Sequence, residues 1–291
     1  MSDFLEQVIA ERRVDVARAK ARVPEGKLTE PSRRSVRLPS FVGDASTGGP
    51  RSVFRMASFG DGFAKALREF RGDSRFAVIA EVKRRSPALG SLGESVDVAT
   101  LALAYSAAGA TAISVLTEPR HWGGSIEDLV AVREAVDIPI LCKDVIVDEY
   151  QLVEARAAGA DAVLLIAEAL DDASLHRFVA RARELRLGVL VEAHEPAAFG
   201  RAVATGATVV GINARNLRRP DEIDIGRVRQ LHAFTRPDQI LVAESGITSV
   251  DDARMLPARV DAVLIGTALM RADDPGPLIQ SIASIRRTVH A

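Results

Sequence analysis

From residue 76 onward the chain repeats one pattern. Short apolar runs are separated by longer stretches with helical spacing. Eight runs can be marked: 76–82 (F-A-V-I-A-E-V), 112–116 (A-I-S-V-L), 138–142 (I-P-I-L-C), 162–166 (A-V-L-L-I), 188–192 (G-V-L-V-E), 208–213 (T-V-V-G-I-N), 240–244 (I-L-V-A-E) and 262–266 (A-V-L-I-G). Their starts lie 20 to 36 residues apart, the length of a strand, a helix and two loops. Near-continuous apolarity predicts strands covered on both faces, as in a parallel sheet. The intervening segments, such as 148–158, predict helices. An echo runs through this region: A-A-G-A-T-A-I (107–113), A-A-G-A-D-A-V (157–163) and A-T-G-A-T-V-V (204–210), with V-D-A-V-L-I (260–265) a weaker copy. In each full copy a helix stops at a glycine and turns into the next strand. Eight such units predict a (β/α)8 TIM barrel. An open doubly wound sheet is disfavoured, because no G-x-G-x-x-G turn follows an early strand.

Before the barrel the pattern changes. Phe4, Leu5, Val8 and Ile9 recur at helical spacing, predicting a helix over 4–20. Residues 21–57 are rich in Pro, Ser, Gly and Arg and predict a long connector; 62–70 predicts a short helix. The expected organisation is an N-terminal helical extension and connector, 1–75, and a single barrel domain, 76–291.

In a barrel of this type the active site lies at the C-terminal ends of the strands. Those ends are polar here: Glu81 and Lys83, then Ser86, after the first run; Lys143 after the third; Glu192 after the fifth; Asn213 and Arg215 after the sixth; Glu244, Ser245 and Gly246 after the seventh; Gly266 and Thr267 after the eighth. Taken singly, each is ordinarily the start of a solvated loop. Together they converge on one mouth, where lysines and glutamates can supply acids and bases. A lysine desolvated beside another lysine is expected to have a lowered pKa. The glycine and hydroxyl pairs after runs seven and eight point to a phosphorylated small-molecule substrate, since those loops commonly bind phosphate in this fold.

Composition narrows the classes. A formal net charge of −1 argues against nucleic acid as a partner. The single cysteine, Cys142, excludes an intramolecular disulfide, and the five histidines show no metal-ligand spacing. No apolar run approaches the ~20 residues of a membrane span, and the N-terminus lacks a signal-peptide pattern. The expectation is a cytoplasmic enzyme with no membrane partner and no metal.

Seven segments then match one family in order: I-A-E-V-K-R-R-S-P-A-L-G (79–90), S-V-L-T-E-P-R-H-W-G-G-S (114–125), K-D-V-I-V-D-E-Y-Q (143–151), L-V-E-A-H (190–194), G-I-N-A-R-N-L (211–217), A-E-S-G-I (243–247) and I-G-T-A-L-M (265–270). From about 62 to 285 the chain resembles the indole-3-glycerol phosphate synthases of tryptophan biosynthesis. The resemblance implies decarboxylative ring closure of carboxyphenylamino-deoxyribulose 5-phosphate, with no cofactor and no metal, in a monomer or weak homodimer. It implies Lys143 as general acid, Glu192 as acid/base of the dehydration assisted by Lys83, and Glu81 as the group orienting both lysines. Asn213, Arg215 and Trp122 would bind substrate, and Ser86, Ser245, Gly246, Gly266 and Thr267 would form the phosphate pocket.

The chain departs from the family at Cys142, often arginine, and at Val145, often phenylalanine. The stretches 31–57 and 218–224 are also longer than usual. Cys142 is expected to alternate away from Lys143 into the core. Two other readings are a related isomerase such as phosphoribosylanthranilate isomerase, which uses a cysteine and an aspartate, and a non-catalytic or secondary-metabolism paralogue.

Overall fold

The structure, a computed structural model, describes residues 3–28, 62–72, 74–93 and 96–287. The eight runs form eight parallel strands: β1 Ala77–Val82, β2 Ala112–Leu116, β3 Ile140–Lys143, β4 Ala162–Ile166, β5 Gly188–Ala193, β6 Val209–Asn213, β7 Ile240–Glu244 and β8 Ala262–Ile265. They pair in chain order and close into a barrel, with β1 bonded to both β2 and β8. β3 begins later than predicted. Pro139 offers no N–H to the ladder, and the strand runs on to include Lys143.

Alternation along the strands sorts the side chains into two cores. Val78, Ala80, Ile113, Cys142, Val191 and Ile212 face outward onto the helices. Ala77, Ile79, Leu141, Leu164, Leu190 and Val242 fill the barrel. Continuing the inward phase to the strand ends gives Glu81, Leu116, Lys143, Ile166, Glu192, Asn213 and Glu244. The polar residues at the strand ends therefore share a phase with the apolar interior, and most of them turn into the barrel mouth.

The echo has a local cause. Gly109, Gly159 and Gly206 close their helices at φ of 92°, 97° and 70°, where a side chain would be strained. Two residues on, a side-chain oxygen takes a backbone N–H near the start of the preceding strand in two of the copies. Thr111 Oγ1 accepts from Val78 and Asp161 Oδ2 from Ile140. Asp261 Oδ2 does the same for Leu241 in the weaker copy.

Helix α1, Phe4–Arg22, is two residues longer than predicted and is capped by Asp3. Its buried positions are Leu5, Val8, Arg12 and Val16, a helical stripe with a charge in the middle. Phe4 and Ile9, expected on that stripe, are half-buried. Helix α2, Gly62–Gly72, sends Phe63 and Leu67 into the interior core beside residues that start the strands, among them Ala77, Ala112 and Ala262. Of the predicted connector, residues 21 and 22 complete α1 and Glu25–Lys27 form one 3-10 turn; its remainder, from 29 on, lies outside the described residues.

Candidate active site

A cavity of about 210 Å³ opens at the C-terminal ends of the strands. Its floor carries Glu81, Lys143, Glu192 and Asn213, with Lys83 and Arg215 at the sides. Leu116, Val145, Leu164, Ile166 and Leu264 make an apolar wall. Phe4 and Leu5 of α1 and Trp122 also line it. The Trp122 loop is shaped by buried Glu118, whose carboxylate accepts the backbone N–H groups of Arg120, His121 and Trp122.

Lys143 is the centre of the charge cluster. Its Nζ lies 3.4 Å from Glu192 Oε2, 3.4 Å from Glu244 Oε2 and 4.0 Å from Glu81 Oε2. Glu81 Oε1 is also 2.8 Å from Lys83 Nζ, which donates on to Thr267 Oγ1 at 3.3 Å. Asn213 Nδ2 donates to Glu192 Oε1 at 3.3 Å, and the Asn213 carbonyl accepts from His194 Nδ1 at 2.8 Å. The four predicted catalytic residues are thus brought together, along with Asn213 and a third glutamate.

Two electrostatic findings differ from the sequence reading. The lowered lysine pKa expected beside a second lysine is overturned at Lys143. Burial does push its pKa down, but Glu192, Glu244 and Glu81 together outweigh burial and raise it. The raised pKa keeps Lys143 protonated and able to donate hydrogen bonds. The second finding is Glu244, noted at the end of its strand but not assigned a role. Its carboxyl oxygens are buried without a well-formed hydrogen bond. Burial, then the Glu192 carboxylate, raise its pKa well above the ordinary 4.5, against the pull of Lys143. Glu81 behaves oppositely: burial would raise its pKa, but Lys83 and Lys143 prevail and hold it below 4.5.

Around the rim, Ser245 and Gly246 adopt consecutive left-handed conformations, φ 65° and 76°, and line the cavity with Gly266 and Thr267. A serine in this region stores on the order of 1 kcal/mol or more of strain, a mark common at binding sites. Arg215 lines the same side; burial lowers its pKa despite Glu81, and its guanidinium donates to the Pro220 carbonyl. Ser86 departs from expectation. After Lys83 the chain folds into a two-residue ribbon, Arg85–Ser86 against Gly90–Ser91. Ser86 is buried in that ribbon, away from the cavity lining, and the turn instead presents Leu89 to the cavity. Cys142 faces the helices as expected, its thiol pushed up to about 12 by burial and then by Asp144. That orientation gives no support to a cysteine base at the mouth.

The largest omission from the sequence reading is Arg12. Its Nε and Nη2 donate to the two oxygens of Asp144 at 2.8 and 2.7 Å, both side chains buried. Asp144 also accepts from Thr117 Oγ1 at 2.8 Å and from the Val145 N–H at 2.7 Å. The residue next to Lys143 is therefore gripped by a helix from the other end of the chain.

Comparison with known proteins agrees with this architecture. A family model described as indole-3-glycerol phosphate synthase matches residues 50–282. A protein of that name from Nocardioides sp. is 53% identical over 212 residues, 72% of this chain and 80% of that one. Another, from Laribacter hongkongensis, is 40% identical over 277 residues, 95% of this chain and 97% of that one. Among solved structures, tryptophan synthase from M. tuberculosis superposes with a TM-score of 0.57 at 15% identity, covering 78% of this chain and 99% of that one, a likeness of fold.

Proposed function

The chain belongs to the indole-3-glycerol phosphate synthase family, and from that premise we propose how its own residues carry the family's reaction. The protein is a carboxy-lyase of tryptophan biosynthesis acting on a phosphorylated small molecule. It converts 1-(2-carboxyphenylamino)-1-deoxyribulose 5-phosphate to indole-3-glycerol phosphate, carbon dioxide and water. The observation that carries the reading is Lys143 among three carboxylates at the floor of an apolar-walled cavity.

The phosphate sits at the rim formed by Ser245, Gly246, Gly266 and Thr267, within reach of Lys83. The aromatic ring lies against the wall that includes Val145 and Ile166, and Trp122, Phe4 and Leu5 cover it. Arg215 and Asn213 hold the carboxylate and hydroxyls. Lys143 donates to the carbonyl oxygen, so the ring carbon bearing the carboxylate can attack the carbonyl carbon. Carbon dioxide leaves as aromaticity returns. Glu192 then takes a proton from the new five-membered ring, and the departing hydroxyl leaves as water with a proton supplied through Lys83 and Glu81. Two protons are taken up and one is released, which matches the conversion of a carboxylate to carbon dioxide.

In this reading α1, at the start of the N-terminal segment 1–75, contributes cover through Phe4 and Leu5, and the barrel, 76–291, contributes the chemistry. The enzyme works in the cytoplasm as a monomer or weak homodimer; no helix among the described residues is long and apolar enough to cross a membrane. The test is to incubate purified protein with the ribulose phosphate substrate and follow indole-glycerol phosphate fluorescence, with and without EDTA. Product formation insensitive to EDTA is expected. No product at high enzyme concentration would refute the reading.

A further inference from the structure

Two glycines at the barrel mouth are hemmed in by neighbouring side chains. Gly211 lies within β6 in extended conformation, where any residue is tolerated. Gly266, at φ −124° and ψ −68°, lies outside the extended and helical regions, so it has a backbone reason to be glycine as well. What both lack is room. A methyl group on Gly211 would overlap Glu244 Oε1 and come within 3.2 Å of Leu190 Cδ1 and 3.3 Å of Glu192 Cβ. A methyl group on Gly266 would overlap Glu81 Oε1, with Glu81 Cδ at 3.0 Å and Lys83 Nζ at 3.1 Å. In each case the carboxylate belongs to the neighbouring strand: β7 pairs with β6 through Asn213 and Glu244, and β1 pairs with β8 through Ala80 and Ile265, one residue before Glu81 and Gly266.

We propose that Gly211 and Gly266 are positioning residues of the reaction. Each is a notch in the barrel wall in which a carboxylate of the adjacent strand lies down, and the notches together fix the two glutamates around Lys143. Upright glutamates would point into the cavity, toward the space the substrate fills. Laid over Gly211, Glu244 is dry and within 3.4 Å of Lys143; laid over Gly266, Glu81 meets Lys83 at 2.8 Å and Lys143 at 4.0 Å. Gly266 was expected to let the backbone approach the substrate's anion. Its missing side chain also makes the space for the Glu81–Lys83 pair. The two notches hold carboxylates near the same ammonium, so filling either changes the charge Lys143 senses.

The inference rests on the synthase reading, because its main readout is that reaction. The experiment compares wild type, Gly211→Ala, Glu244→Asp and the double variant Gly211→Ala/Glu244→Asp for kcat, KM and the pH dependence of kcat. Displacing a catalytic group by about 1 Å can cost roughly 10²-fold. Gly211→Ala should therefore lose kcat on that order, with KM changed less and the pH profile displaced. Aspartate is one methylene shorter and clears the methyl group, so the double variant should recover at least about tenfold over Gly211→Ala. Gly266→Ala with Glu81→Asp should behave in parallel. Wild-type kcat and pH profile in both alanine variants, or no recovery in either double variant, would overturn the proposal. If an alanine variant does not fold, a folded double variant supports the notch and an unfolded one counts against it. Inactive wild type would instead refute the synthase reading.

Discussion

Removing Arg12 tests whether the N-terminal helix is fastened through the active-site floor. Arg12 and Asp144 are both buried, with side chains 9% and 4% exposed, and they share two hydrogen bonds at 2.8 and 2.7 Å. In Arg12→Ala, Asp144 keeps its bonds from Thr117 and Val145 but is left as a buried carboxylate without a cation. Breaking such a pair on one side costs about 3–5 kcal/mol. Lys20→Ala is the control on the same helix. Its 2.7 Å bridge to Asp148 is 44% and 36% exposed, and such surface pairs are worth about 0.2–1 kcal/mol. At about 2–4 °C per kcal/mol for a barrel-sized protein, Arg12→Ala should melt roughly 6–20 °C below wild type and Lys20→Ala within about 4 °C. Urea midpoints at fixed protein concentration give the same comparison in free energy. Replacing both partners, Arg12→Met with Asp144→Leu, removes the stranded charge and should recover much of the loss. Because α1 carries Phe4 and Leu5 to the cavity, KM should rise as well. If Arg12→Ala melted no lower than Lys20→Ala, the buried pair would not be the fastening.

Three further outcomes are expected. Lys143→Ala should lose on the order of 10²-fold or more in kcat, the range of general acid catalysis, and a near-normal rate would mean the proton donor lies elsewhere. Glu244→Gln should change the pH dependence of stability. A carboxyl whose folded pKa is raised above 4.5 binds a proton in the folded state that the unfolded state releases, so wild-type stability falls as pH rises above 4.5. Glutamine lacks that slope, and urea unfolding at pH 5 and pH 8 should show the variant gaining on wild type with pH; an unchanged difference would mean Glu244 is ionised. Cys142→Ser should remain active, and in native wild type the buried thiol, its pKa pushed up to about 12, should resist a thiol reagent until unfolding.

Much of the site was legible because strand alternation is a local rule. Once Ile79 is inward, Glu81 is inward; once Leu141 is inward, Lys143 is inward and Cys142 is not. The glycines closing the helices were legible for the same reason, since a left-handed turn is a property of one residue. Ser86 shows where such rules stop. Beyond the strand the phase is lost, and the small ribbon after Lys83 delivers Leu89 to the cavity.

The eight-unit period, the inward phase of Glu81, Lys143, Glu192 and Asn213, and the motifs that tie the chain to its family are all written in the order of residues. Which charges meet follows from the folded arrangement alone. Arg12 reaches Asp144 across 132 residues of chain, and no period links them. The direction of the Lys143 pKa shift depends on distances to glutamates from three other strands, and Coulomb energies depend on separation in space. Gly211 looks like an ordinary glycine within a strand, and Gly266 like one at a strand end, until the neighbouring strands are in register. They are notches only because another strand's carboxylate occupies the space their side chains would fill.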